Sequence, residues 1–488
     1  MDRTVYQEKS QAGLDGSSAS VPPGMSTPVR TESEHTAYEQ IATRPADGSD
    51  LEKKSTSQVD ITDVPDFPDG GWRAWTTVAG VWLMQYSTFG SSPLSSLYGQ
   101  RYTNAHGVYT DFYVRQYLSN YSSSQIRKHA VWDNDVIRLD NWTFVRCWLL
   151  LCSYHMVSGG AAIVTFCLFM LSLAQPQQFY QVFLAQGVGL GIGIGLSYIP
   201  TVSVVSQYFH KRRALALGIA TSGSAVGGMI HPVLLNKLIF GRLGYAGAVK
   251  VSAAANAGTM IVGLLLMRAR YPMGGKSARR NGRGGPGLWV NMRKFYKEPT
   301  FCFTSAGTVF TLLGLYLPIF FLQLKAIQNG VDPDLAFYSL TILNGANALG
   351  RIIPNMLVPV VGPFNVMLPT SLGCCVLIFA MAGVKSAGGV IAFSILFGFF
   401  SGSYIGLLAP LVSTLAENTS EIGARVGICL SFTGFGALFG SPIQGALLGS
   451  DFVWIRSILF AGMIVAVGGV CFSTARTLLA RKRGTWRI

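Results

Sequence analysis

The sequence predicts an all-α polytopic membrane protein, and three observations carry that prediction. Half of the 488 residues are hydrophobic and only 12% are charged, with a mean hydropathy of +0.37, too apolar for a soluble chain of this length. Apolar runs of membrane-spanning length recur along the chain. The basic residues gather in the short connections between those runs, above all in His210-Lys211-Arg212-Arg213, as loops facing the cytoplasm do. The net charge of +15 therefore marks bilayer surfaces and predicts a lipid partner and no nucleic acid.

Residues 1–68 are polar, rich in Ser, Thr, Glu and Asp, and lack the apolar core of a signal peptide, so they predict a disordered cytoplasmic tail. Apolar spans then start near Ala74, Trp148, Phe179, Ala214, Gly247, Thr300, Ala336, Val366, Gly388, Gly423 and Ile455. Small residues at close spacing, such as Gly187, Gly189, Gly191, Gly193 and Gly195, suit helices that approach closely in lipid. They lie inside a span and not after a strand, which excludes a nucleotide loop. The eight cysteines fall in or beside apolar segments without paired spacing, and read as small hydrophobes.

Three basic segments are separated by even numbers of spans and so share one side: the 210–213 cluster, the loop from Arg268 to Lys297, and Arg481-Lys482-Arg483. Gly218, Gly227 and Pro232 recur as Gly427, Gly436 and Pro442, with Arg213 and Arg425 just before each run. That repeat suggests two similar helical halves, 69–267 and 299–480, joined by a basic cytoplasmic linker at 268–298 and followed by a basic tail at 481–488.

Asp69-Gly70-Gly71-Trp72-Arg73-Ala74-Trp75 and the stretch from Tyr208 to Gly228 together resemble the paired signature motifs of the monocarboxylate-porter family, fungal branch, of the major facilitator superfamily. Phe337-Tyr338-Ser339-Leu340, Asn344 and Gly350-Arg351-Ile352-Ile353-Pro354-Asn355 are also similar to that branch, so the likeness runs from about residue 65 to the C-terminus. The resemblance implies the major facilitator fold: twelve helices in two six-helix halves, a central cavity, and alternating access. Two places depart from it. Ser91 to Arg101 looks inserted. At the position of the second helix, residues 125–147 hold up to eight charges, each costing roughly 2.5–3.5 kcal/mol at a helix centre. That helix is apparently missing or replaced, unless a weak span at 102–121 stands in.

Outside the tail no acidic residue lies in the middle of a clear span. Where the resemblance places an Asp and an Arg one turn apart on the eighth helix, this chain has Asn347 and Arg351. A guanidinium in mid-span needs a partner, and its planar fork matches a carboxylate. Arg351 therefore either clamps a solute anion in a cavity or pairs with backbone carbonyls or with Asn347. Asn344, Asn347, Arg351, Tyr316 and Tyr404 are the candidate substrate contacts, with Gln85, Gln186 and Gln323 nominated beside them because the resemblance lines the cavity with helices one, four, seven and ten. Asp69, Lys211, Arg212 and Arg213 are expected to latch a gate or to set topology. His155 and His231 lie nearest the membrane interior, where a lone His is more often packed than a proton relay. No motif for catalysis, metal or cofactor binding is present. The function expected is secondary transport of a small organic solute, a monocarboxylate or similar anion, at the plasma membrane. The alternatives are a riboflavin-type facilitator, a non-transporting sensor or an inactive isoform.

Overall fold

The computed structural model describes residues 69–90, 153–175, 178–270, 288–416, 421–449 and 452–488. The expected tail, the insertion at 91–101, the weak span at 102–121 and the charged stretch at 125–147 lie outside the described residues. Among the described residues every regular element is helical. The first helix, α1, is Trp72–Gln85, continued by a π-helical turn at Tyr86–Gly90. It is followed by α2 (Ser153–Ser172) and α3 (Leu190–Ser206), the latter entered through Phe179–Val182 and a π segment at Phe183–Gly189. Then come α4 (Arg213–Ile239), α5 (Gly244–Leu266) and the short α6 (Leu288–Phe295). The remaining helices are α7 (Pro299–Gln328), α8 (Pro333–Val361), α9 (Pro363–Ala380), α10 (Ala387–Ser413), α11 (Ile422–Leu448) and α12 (Trp454–Arg483).

Among the described residues, nine helices are long and apolar enough to cross a membrane. The two further expected spans are helical but differ for identifiable reasons. The described α-helical part of α1 has 14 residues, short of the ~20 that a bilayer requires. The 29 residues of α8 carry Asp334, Asn344, Asn347, Arg351 and Asn355, which dilute its apolar character.

Glycine sets how closely the helices approach. A Cβ at Gly350, Gly398 or Gly402 would strike the carbonyl of Phe399, Leu343 or Asn347 across the α8–α10 contact. One at Gly223 would strike the Trp82 carbonyl between α4 and α1. These contacts leave little room for side chains and so bring polar backbone of neighbouring helices within reach. Helix starts are locally encoded: α7, α8 and α9 open with Pro in the first turn, and the Asp332 carboxylate accepts from Leu335 N at 3.1 Å.

Contacts between connections show which ones share a face. Tyr208 Oη donates to the Arg268 carbonyl (2.9 Å) and Arg270 N to Gln207 Oε1 (3.0 Å), so the α3–α4 turn and the start of the linker meet. On the same helix ends as the linker's far side, Lys294 pairs with Glu421, and Arg483 donates to the Thr414 carbonyl. At the opposite ends, Lys325 donates to the carbonyls of Met381 and Ala382, and Trp454 Nε1 to Gln328 Oε1 at 2.9 Å. The basic connections thus gather at one end of the helices.

Candidate functional site

Asn344, Asn347, Arg351 and Asn355 recur at helical spacing and form one polar stripe along α8. Three of the four are buried, Asn347 at 3% exposed, Arg351 at 9% and Asn355 at 0%, and Asn344 is half-buried. The stripe lies between α4 and α10. Arg351 Nε donates to Asn347 Oδ1 at 2.8 Å, while Nη1 donates to the Thr221 carbonyl at 2.7 Å and to Ser224 Oγ at 2.6 Å, both on α4. Asn347 Nδ2 in turn donates to Ser401 Oγ on α10 at 3.2 Å. Asn344 Nδ2 reaches the Gly228 carbonyl of α4 at 3.4 Å. That carbonyl lacks its usual helical donor because Pro232, one turn on, has no N–H.

The close approach is built by small residues. A Cβ at Gly218 would meet the Arg351 carbonyl, and one at Gly406 would crowd Arg351 and Asn355. Tyr198 on α3 and Tyr316 on α7 are within electrostatic reach of the guanidinium, so four helices contribute to its surroundings. No carboxylate contacts Arg351 among the described residues. The cation is held by neutral dipoles alone. Such an arrangement solvates the buried cation without neutralising its charge.

Of the other expected contacts, Tyr316 is half-buried and stacks on Phe320 with centroids 5.1 Å apart. Tyr404 is completely buried and donates its hydroxyl to the Thr308 carbonyl at 3.2 Å. Gln85 is buried and donates to Thr201 Oγ1 at 3.4 Å. Arg351 and Asn347 therefore bond directly, with Tyr316 within electrostatic reach of the guanidinium; Asn344 stands further along the same face of α8, and Tyr404 sits in the packing between α10 and α7. His155 is exposed near the start of α2, and His231 is buried on α4.

Asp69 and the 210–213 turn meet directly. Asp69 adopts a positive φ of 44° and Gly71 one of 89°, a bend that Asp and Gly tolerate better than other residues. The bend aims the carboxylate at the start of α4, where Oδ1 accepts from the amides of His210 (2.6 Å) and Lys211 (2.8 Å). Asp69 N donates back to the Tyr208 carbonyl at 3.2 Å, and Trp75 packs edge-on against Phe209 at 5.2 Å. Partial burial opposes ionisation of Asp69, but the amides of His210, Lys211 and Arg212 outweigh it and hold the carboxyl below its ordinary value. Arg213 Nε is spent on the Phe209 carbonyl at 3.1 Å. The two sequence motifs thus form one folded unit joining the start of α1 to the start of α4.

Arg425 is a residue the sequence reading left without a role. It is fully buried and forks onto Glu298, with both Nη–Oε distances at 2.7 Å, and it also reaches Glu421 at 3.3 Å while lying over the Phe295 ring at 4.2 Å. Burial raises the Glu421 carboxyl, but Lys294 and Arg425 together hold it below its ordinary value. Glu298 stands just before α7 as Asp69 stands just before α1. The repeat relating Arg213 to Arg425 was the signal available in the sequence.

Residues 154–418 match the family described as Major Facilitator Superfamily. The chain is 33% identical over 417 residues to the aspyridones efflux protein apdF of Emericella nidulans, covering 83% of this chain and 78% of that protein. It is 28% identical over 406 residues to the agnestins efflux protein AgnL12 of Paecilomyces divaricatus, covering 83% and 87% respectively. The crystal structure of the fucose:proton symporter FucP (N162A) of E. coli is similar in fold, with a TM-score of 0.57 over 82% of this chain and 98% of that one, at 13% identity.

Proposed function

The chain belongs to the Major Facilitator Superfamily and is an integral membrane transporter of that family, and from this premise we propose that it exports a small organic anion by alternating access. The observation that carries the reading is the buried Arg351. Its guanidinium bridges α8 to α4 through uncharged partners, so a solute carboxylate or similar acidic group is the charge it lacks. Asn347 and Tyr316 flank it as further contacts, and Asn344 and Tyr404 hold the helices that carry them. The outward direction is drawn from relatives named for efflux.

Two halves, 69–267 and 299–480, rock about the α4–α8 contact, with the 268–298 linker and the other basic connections in the cytoplasm. The plasma membrane is where export of a solute from the cell takes place. The contact between the Asp69 motif and the 210–213 turn, which makes one folded unit of the two stretches that resemble the monocarboxylate-porter signature, supports that narrower kinship. A monocarboxylate is one member of the solute class; the proposal extends to any organic anion of similar charge.

The test is efflux of labelled aromatic carboxylates, and of their amides, from cells of a host lacking its own exporters. Cells expressing the chain are expected to lose the carboxylates faster than the amides. Arg351→Ala is expected to slow that loss about tenfold, as removal of a charged hydrogen bond of ~1.5 kcal/mol would. Equal export of acids and amides, or equal rates for Arg351→Ala and the parent, would sink the proposal.

A further inference from the structure

Both ring nitrogens of His231 face oxygen. The side chain is buried on α4, with Nδ1 3.1 Å from the Gly227 carbonyl and Nε2 3.2 Å from Asn256 Oδ1 on α5. The Asn256 amide is not free to turn its nitrogen toward the ring, because Nδ2 donates to the Ser252 carbonyl at 2.9 Å. Both oxygens only accept. A neutral imidazole carries one N–H and one lone pair, so it satisfies one contact and sets lone pair against lone pair in the other; the imidazolium, with two N–H groups, satisfies both.

We propose that His231 is a proton-binding site within the membrane, the proton being held between the ring and the Gly227 and Asn256 oxygens. It is taken from water and returned to water, so the site alternates between neutral and singly positive and no other bond changes. Burial disfavours the charged form and the two acceptors favour it, an opposition that makes the occupancy sensitive to small movements. The neighbouring chain provides such a movement. Pro232 removes the helical donor from the Gly228 carbonyl, which is bonded instead to Asn344 of α8, so α4 can bend at that turn. Loss of the proton makes one of the His231 contacts repulsive at the same turn, which links protonation to how α4 sits on α5 and α8.

The groups around the ring leave it as the titrating element. Tyr86, after α1, lies 5.0 Å away ring to ring, and its aromatic face suits a cation. From α5 the facing groups are Asn256 and Ser252, and from α8 Asn344. The other titratable or charged side chains on the packed helices are committed or remote. Arg351 is bonded to Thr221 and Ser224, more than one turn toward the basic end of α4, and Tyr404 to Thr308. Tyr198 of α3 lies within reach of that same Arg351. Lys237 and Lys250 stand beyond the site, on other turns of α4 and α5, and Asp334 and Tyr338 on the first turns of α8.

The proposal rests on no reading of the solute, and its test uses none. The full chain, labelled with 15N-histidine and reconstituted in liposomes, is followed by solid-state NMR across about pH 5 to 8. Of the six histidines, the one absent in His231→Gln is identified by difference. It is expected to show two hydrogen-bonded N–H groups at the acid end and to convert to the neutral ring as pH rises. Asn256→Leu is expected to move that conversion to lower pH by about one unit, and it identifies the same resonance should His231→Gln fail to fold. A ring that stays neutral throughout, one that stays charged throughout, or a midpoint indifferent to Asn256→Leu overturns the proposal.

Discussion

Asp69 shows how much a single residue can carry without touching a solute. Its carboxylate lies in the amides that open α4, where an anion is favoured both by unsatisfied N–H groups and by the helix dipole. Because those amides hold its pKa below the ordinary value, the contact contributes fully above the ordinary carboxylate range and is lost as pH falls through the lowered value. In detergent, the melting temperature of the parent is expected to fall with acidification below about pH 4, while Asp69→Asn melts lower at neutral pH and changes less, the two curves converging in acid. An Asp69→Asn protein that melts like the parent at neutral pH would refute the role. The sequence exposed Asp69 as part of a motif, because its Gly-Gly-Trp setting is local. It did not expose the partner, since the His210 amide carries no side-chain signature. Arg351 was legible for a similar reason, as a charge in mid-span, and the expected pairing with Asn347 and with a backbone carbonyl is what the structure has; which carbonyl, Thr221 of α4, no residue type announces. Arg425 was harder still: the repeat set it beside Arg213 near a helix start, and only the fold brings Glu298 against it.

Among the elements, α8 concentrates the polar chemistry, and its glycine-lined contact with α10 sets the position of Arg351. The backbone of α10 at Gly402 lies directly against the Asn347 carbonyl, so an added methyl has nowhere to go. Gly402→Ala is expected to push α8 off α10, to cost ~1–3 kcal/mol of stability, and to lower the melting temperature of the purified protein. Gly388→Ala, at a position with open space around it, serves as the control that should leave melting unchanged. Comparable melting of the two variants would show that α8 is held elsewhere. The apolar runs announced most helices well, because a bilayer demands long unbroken stretches whatever they pack against. The run starting near Ala336 announced α8 as well, although its buried polar stripe lowers its hydropathy below that of the nine described helices long and apolar enough to cross a membrane. Those polar residues bond α8 to both of its neighbours, α4 and α10.

For the molecule as a whole, the interlocked α4 and α8 join segments that lie on either side of the basic linker. Their contact runs from Gly218 against Arg351 to Gly228 against Asn344. If that contact holds the halves together, a chain broken within 271–287 and expressed as two pieces is expected to purify as one complex in mild detergent. Pieces that separate, each recovered alone, would show that the covalent link is what keeps them paired. Parity of the basic connections was readable from charge alone, and the Tyr208–Arg268 and Gln207–Arg270 bonds agree with it. Those bonds have a mechanical corollary. The connection from α5 to α7 is moored at Arg270 to the α3–α4 turn and, near its far end, by Lys294 to Glu421. Each mooring ties an end of the connection to the helices it adjoins, so lengthening the sequence between them is expected to leave turnover unchanged, and a fall in turnover would show that the connection itself couples the helices on its two sides.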